Sequence, residues 1–113
     1  MAKDLKELAN YFSQTLVLLP TYNESDNILN MLNALKEISN EIHILVIDDN
    51  SPDGTSEIVR DFQNNNEHVF LMERPGKQGL GKAYIAGFKY ALEKGYKYIQ
   101  TIDCDFSHDP KEI

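Results

Sequence analysis

At 113 residues, 42% hydrophobic and 26% charged, the chain has the size and make-up of one small globular domain. No run approaches the roughly 18 apolar residues of a membrane span, and the opening MAKDLKELANYF lacks the apolar stretch of a signal peptide. A net charge of −7 argues against a nucleic-acid partner, while the single Cys104 excludes an internal disulfide and suits a reducing cytoplasm.

In chain order, Leu5, Leu8, Ala9 and Phe12 suggest a short amphipathic helix. TLVLLP (15–20) follows as a first strand. It is apolar without alternation, as are IHILVID (42–48), VFLM (69–72) and YIQTID (98–103), which suits strands buried on both faces. Helical patterns separate them. Ile28, Leu32 and Leu35 share one face of the first, Ile58, Val59 and Phe62 one face of the second. Tyr84, Phe88, Ala91 and Leu92 do so in the third. Ser51-Pro52-Asp53-Gly54 reads as a turn feeding the second helix, and Gly95 as the C-cap of the third. The order β-α-β-α-β-α-β predicts an α/β fold with a parallel, doubly wound sheet in three layers. With strand order 3-2-1-4, the loops after strands one and four face each other where the winding reverses, the usual ligand crevice of such sheets. The whole chain is expected to be a single domain, a helix over 1–14 and a core over 15–113. DPKEI at the end reads as the start of another helix, so the chain is expected to be a piece of a longer protein.

The residues expected at that crevice carry chemistry. Asp103 and Asp105 flank Cys104 on an extended segment, where residues two apart point the same way and can converge on one hard cation, Mg²⁺ or Mn²⁺. The alternative is a pair of loop aspartates acting as caps. Ser107 could add an oxygen. Asp48-Asp49-Asn50-Ser51 closes strand two; its carboxylates could accept hydrogen bonds from a ribose or base edge, or simply shape a tight turn. After strand one, Tyr22 could lie along a nucleobase and Glu24 could hold a ribose hydroxyl, while Asn23 or Ser25 could cap the next helix. Gly76-Lys77-Gln78-Gly79-Leu80-Gly81-Lys82-Ala83 fits a phosphate-binding P-loop except at Ala83, which has no hydroxyl for Mg²⁺, and it follows strand three rather than strand one. Six basic residues from Arg74 to Lys97 face only Glu93, a solvated helix face or an attraction for an anion. His43 and His68 have no partner at metal-ligand spacing.

LLPTYNE, VIDDNSPDGT, GLGKAYIAGFKYAL and IDCDFSHDP, in that order, resemble the inverting glycosyltransferases of family two, and most closely their dolichol-phosphate (polyprenol-phosphate) mannose synthases. The resemblance runs from Thr15 to Ile113. It implies the N-terminal, nucleotide-binding half of a GT-A fold. It implies that Pro20, Tyr22 and Glu24 line the nucleotide pocket and that Ile47 and Asp49 contact base and ribose. Asp103, Cys104 and Asp105 would hold the sugar nucleotide, with Asp103 and Asp105 as the catalytic carboxylates and Asp103, Asp105 and Ser107 around the Mg²⁺ or Mn²⁺ ion. The implied donor is GDP-mannose, the implied acceptor a polyprenyl phosphate, and the implied place the cytoplasm or the inner face of a membrane, with peripheral contact through the lipid. A family-two enzyme using UDP-glucose or another nucleotide sugar would share all four motifs, and a non-catalytic nucleotide-binding domain would keep most of them. Cys104 stands where alanine is usual and Asn50 where glycine is common. The family's basic acceptor-phosphate residues belong to a C-terminal half outside these motifs, so the chain alone is expected to be inactive. The open edge of the fourth strand would allow self-association.

Overall fold

The computed structural model describes residues 5–76 and 79–104. Eight elements alternate: α1 (Leu5–Ser13), β1 (Thr15–Thr21), α2 (Ile28–Ile38), β2 (His43–Asp48), α3 (Thr55–Gln63), β3 (Val69–Glu73), α4 (Leu80–Lys94) and β4 (Tyr98–Thr101). All strand pairs are parallel, in the order β3-β2-β1-β4. Leu16 pairs with His43 on one side of β1 and Ile99 on the other. The winding reverses between β1 and β4, as expected. β4 stops at Thr101, two residues short of the expected strand end.

Alternation along the central strands splits the core into two layers. Val17, Leu19, Ile44 and Val46 face one way and pack with Phe12 of α1, with Ile28, Met31, Leu32 and Leu35 of α2 and with Val59 of α3. Leu16, Leu18, Leu45 and Ile47 face the other way, onto α4. Because helices cover both faces, the strands carry apolar residues at consecutive positions, and the missing period of two in the sequence has this cause.

Pro20 lies within the central strand, where a missing N–H normally breaks a ladder. The Ile102 N–H donates to the Leu18 carbonyl, and by alternation the Pro20 backbone faces the same side, beyond the last β1–β4 pair. The proline therefore sits where β1 and β4 part.

Helix α4 departs from the expected packing. Of the expected Tyr84, Phe88, Ala91 and Leu92, only Ala91 is fully buried; Tyr84 packs half-buried against the core, while Phe88 is 41% and Leu92 75% exposed. Ala83 and Gly87 complete the buried face. A Cβ at Gly87 would lie 2.7 Å from Leu18 Cδ1 and 2.9 Å from Ile47 Cδ1, so only a glycine lets the helix approach this closely. Gly95, with φ of +79°, ends α4 in the left-handed conformation; its N–H reaches Leu92 and the Tyr96 N–H reaches Ala91.

Candidate functional site

A cleft of about 300 Å³ opens at the carboxyl ends of β1, β2 and β4. Pro20, Tyr22 and Glu24 enter it from the end of β1, Asp49 from the end of β2, and Asp103 and Cys104 from the segment after β4. Gly79, Leu80 and Ala83 at the start of α4 form the remaining wall. The Ala83 N–H donates to the Gly79 carbonyl, so the N–H groups of Leu80, Gly81 and Lys82 precede the first helical bond, an arrangement that favours anions. Six residues singled out in the sequence thus converge on one cleft. Ile47 does not: its side chain is fully buried under α4 and belongs to the core. Asp105 and Ser107 lie outside the described residues.

The two aspartates closing β2 have different places. Asp48 is fully buried and accepts hydrogen bonds from the Thr21 hydroxyl (2.7 Å), the Ser51 N–H (2.9 Å) and hydroxyl (2.6 Å), and the Ser56 hydroxyl (2.9 Å). These donors tie the β2 loop to β1 and to α3, so Asp48 shapes the turn. Asp49 faces the cleft and sits 3.3 Å from Arg74 Nε, both side chains being more than nine-tenths buried. Arg74 follows β3, and its N–H donates to the Asp48 carbonyl. Asn50 takes φ of +59°, the left-handed conformation that asparagine tolerates in glycine's place.

The loop carrying Tyr22 and Glu24 is strapped to the β2 loop by three backbone N–H groups. Asn23 donates to the Ser51 hydroxyl, Glu24 to the Thr55 hydroxyl and Ser25 to Asp53 Oδ2. Asp53 also accepts the N–H and hydroxyl of Thr55. Its slight burial opposes ionisation, but the hydrogen bonds from Thr55 and Ser25 hold the carboxyl down to about 2. Neither Asn23 nor Ser25 caps α2, whose N-cap position is Asn27 and makes no side-chain cap hydrogen bond. Asn23, at φ +54°, turns the chain instead, and the Glu24 carbonyl accepts the Asn27 and Ile28 N–H groups.

Behind the cleft wall, the Tyr84 hydroxyl donates to Asp103 Oδ1 at 3.2 Å. Burial, then the Asp103 charge and that hydrogen bond, push the Tyr84 hydroxyl up, so it remains a donor. Tyr84 and Arg74 are the two contributors that sequence reading missed. Arg74 was legible only as one charge in a basic run, and Tyr84 only as part of a helix face. Lys82 is exposed and outside the lining, so the lysine that the P-loop pattern would aim at a phosphate does not line the cleft; Lys77 and Gln78 of that pattern lie outside the described residues. His43 and His68 stack with ring centroids 4.1 Å apart at the start of β2, the end of the sheet away from the cleft. Among the described residues no three histidine, cysteine or acidic side chains form a metal-holding group, and no helix is long and apolar enough to cross a membrane.

The chain belongs to glycosyl transferase family 2, whose model matches residues 16–113. It is 41% identical over 101 residues to the polyprenol monophosphomannose synthase of Mycolicibacterium smegmatis, covering 88% of this chain and 38% of that protein. It is 39% identical over 100 residues to the undecaprenyl-phosphate mannosyltransferase of Micrococcus luteus, covering 88% and 41%. The chain therefore spans about two fifths of the length of these curated relatives. Among solved structures, the mannosyltransferase PcManGT from Pyrobaculum calidifontis in complex with GDP-Man and Mn²⁺ superposes with a TM-score of 0.63 at 26% identity, over 68% of this chain and 24% of that one. TarS 1–349 of S. aureus gives 0.61 at 28%, over 80% and 27%. The parallel sheet is the α/β unit of the GT-A glycosyltransferases, as the sequence resemblance implied.

Proposed function

We propose that this chain forms the donor-binding part of an inverting glycosyltransferase that moves mannose from GDP-mannose to a polyprenyl phosphate with the help of Mg²⁺ or Mn²⁺. The observation that carries this reading is the roughly 40% identity, over 88% of the chain, to two enzymes named for mannosyl transfer involving polyprenol phosphates. The cleft supplies a matching set of groups. Tyr22 offers a ring for the base, and Glu24 and Asp49 offer carboxylates for ribose hydroxyls or base N–H groups. The start of α4 offers N–H donors to a diphosphate.

Asp103 is a hard oxygen donor on the cleft wall, so the residues present fit a hard divalent cation, which Asp103, Asp105 and Ser107 would hold. Such a cation would neutralise charge on the departing diphosphate. In the transfer, the bond from the sugar anomeric carbon to the diphosphate oxygen breaks and one to the acceptor phosphate oxygen forms on the opposite face. The acceptor is already anionic near neutral pH, so no carboxylate of the cleft has to remove a proton. The work of this part of the fold is orientation: a donor held at base, ribose and diphosphate exposes one face of its sugar.

Calorimetric titration of GDP and of UDP into the chain, with and without Mn²⁺ and beside Asp105→Asn, tests the reading. Binding of GDP that requires Mn²⁺ and disappears in Asp105→Asn is expected. A preference for UDP would keep the family and replace the donor. A folded chain that binds neither nucleotide would sink the donor-site assignment.

A further inference from the structure

We infer that Tyr84 is a positioning residue for the donor site: from behind the cleft wall, its hydroxyl fixes the carboxylate of Asp103 in the orientation that receives the cation and sugar nucleotide. The inference rests on the donor-site reading above. It begins with where the chain leaves the sheet. β4 ends at Thr101, and the Ile102 N–H makes the last ladder bond, to Leu18. Ile102 and Cys104 both pack into the core on the α1–α2–α3 face, so alternation turns the intervening Asp103 toward α4.

There it meets Tyr84. The hydroxyl reaches Oδ1 at 3.2 Å and so anchors one of the two carboxylate oxygens. Tyr84 itself does not line the cleft, although Gly79, Leu80 and Ala83 of the same helix start do. Its ring is half-buried and stacks on Phe88, with centroids 6.4 Å apart and planes 22° from parallel. A stacked ring on a helix turn is a stiff arm. An aspartate just past the end of a strand is thereby referenced to the same helix that borders the diphosphate side of the cleft. Preorganisation of this kind lowers the ordering cost of binding without adding a ligand contact.

Tyr84→Phe removes the hydroxyl and keeps the ring, so the fold is left intact. Calorimetry with GDP and Mn²⁺ on the 113-residue chain is expected to show about fivefold to tenfold weaker binding in Tyr84→Phe, the loss of one charge-assisted hydrogen bond in a partly solvated setting. The thermal midpoint of the nucleotide-free chain should stay close to that of wild type, since the hydroxyl acts through Asp103 on the loaded site. A purely structural tyrosine would lower that midpoint together with the affinity. Phe88→Ala, which removes the stacking neighbour but leaves the hydroxyl, should lose less than Tyr84→Phe. Equal Mn²⁺-dependent affinity in wild type and Tyr84→Phe overturns the positioning role and leaves the donor-site reading standing. A wild-type chain that binds no GDP with Mn²⁺ removes both.

Discussion

On the sheet face covered by α1, α2 and α3, large aliphatic side chains interdigitate: Met31, Leu32 and Leu35 are fully buried against Val17, Leu19 and Val46. On the other face α4 meets the sheet through Ala83, Gly87 and Ala91, and Ile85, Phe88 and Leu92 stay exposed. One face is filled by volume, the other by closeness. The helix that packs closely is also the one whose first turn borders the cleft, so backbone approach at Gly87 and cleft geometry at Gly79 and Leu80 are set by one rigid element. The helices packed by volume carry no cleft residue.

The contrast can be broken from either side. Leu32→Ala should cost about 3 to 4 kcal/mol, because a fully buried leucine leaves a cavity that its neighbours cannot fill; urea unfolding measures it. On the opposite face the sign of the size change inverts. Gly87→Val should cost about 2 to 3 kcal/mol by overpacking against Leu18 and Ile47, while Leu92→Gln on the same helix should stay within about 0.5 kcal/mol. A Gly87→Val chain as stable as wild type would mean that α4 does not sit this close.

The smallest effect belongs to the loops between β1 and α2 and between β2 and α3, and it depends on pH. Asp53 has a carboxyl depressed below its ordinary value of 3.8 to about 2, so its contribution is present above the unfolded value and is lost as pH falls from there through about 2. Thermal melts of wild type and Asp53→Asn should converge as the pH drops through that window and stay apart at neutral pH. A constant gap down to pH 2 would remove Asp53 as the strap.

Much of this was legible in the sequence. Four apolar runs gave four parallel strands in the right order, since strands covered on both faces leave long β-branched stretches. The cleft residues on loops were legible because each follows directly on such a run. Other features depend on distances that sequence does not encode. Asp48 and Asp49 are neighbours of identical chemistry, and only the direction in which each side chain leaves the strand end sends one into the turn and the other toward the cleft. Around α4, Phe88 and Leu92 look as fit for burial as Ala83 and Gly87; the nearness of the sheet selects the small ones. Arg74 reads in the sequence as one charge of a basic run and finds Asp49 twenty-five positions back, and Tyr84 finds its partner nineteen positions on.

β1 has partners that arrive at very different times. Leu16 pairs with His43, whereas Thr15 pairs with Tyr98. A chain emerging from the ribosome can therefore assemble β1, β2 and β3 while one edge of its most apolar strand still offers open N–H and C=O groups. That edge is closed, and the wall bearing Asp103 put in place, only by β4, which is made after the other three strands described. Synthesis thus lays down β1, β2 and β3 before it supplies that wall of the cleft.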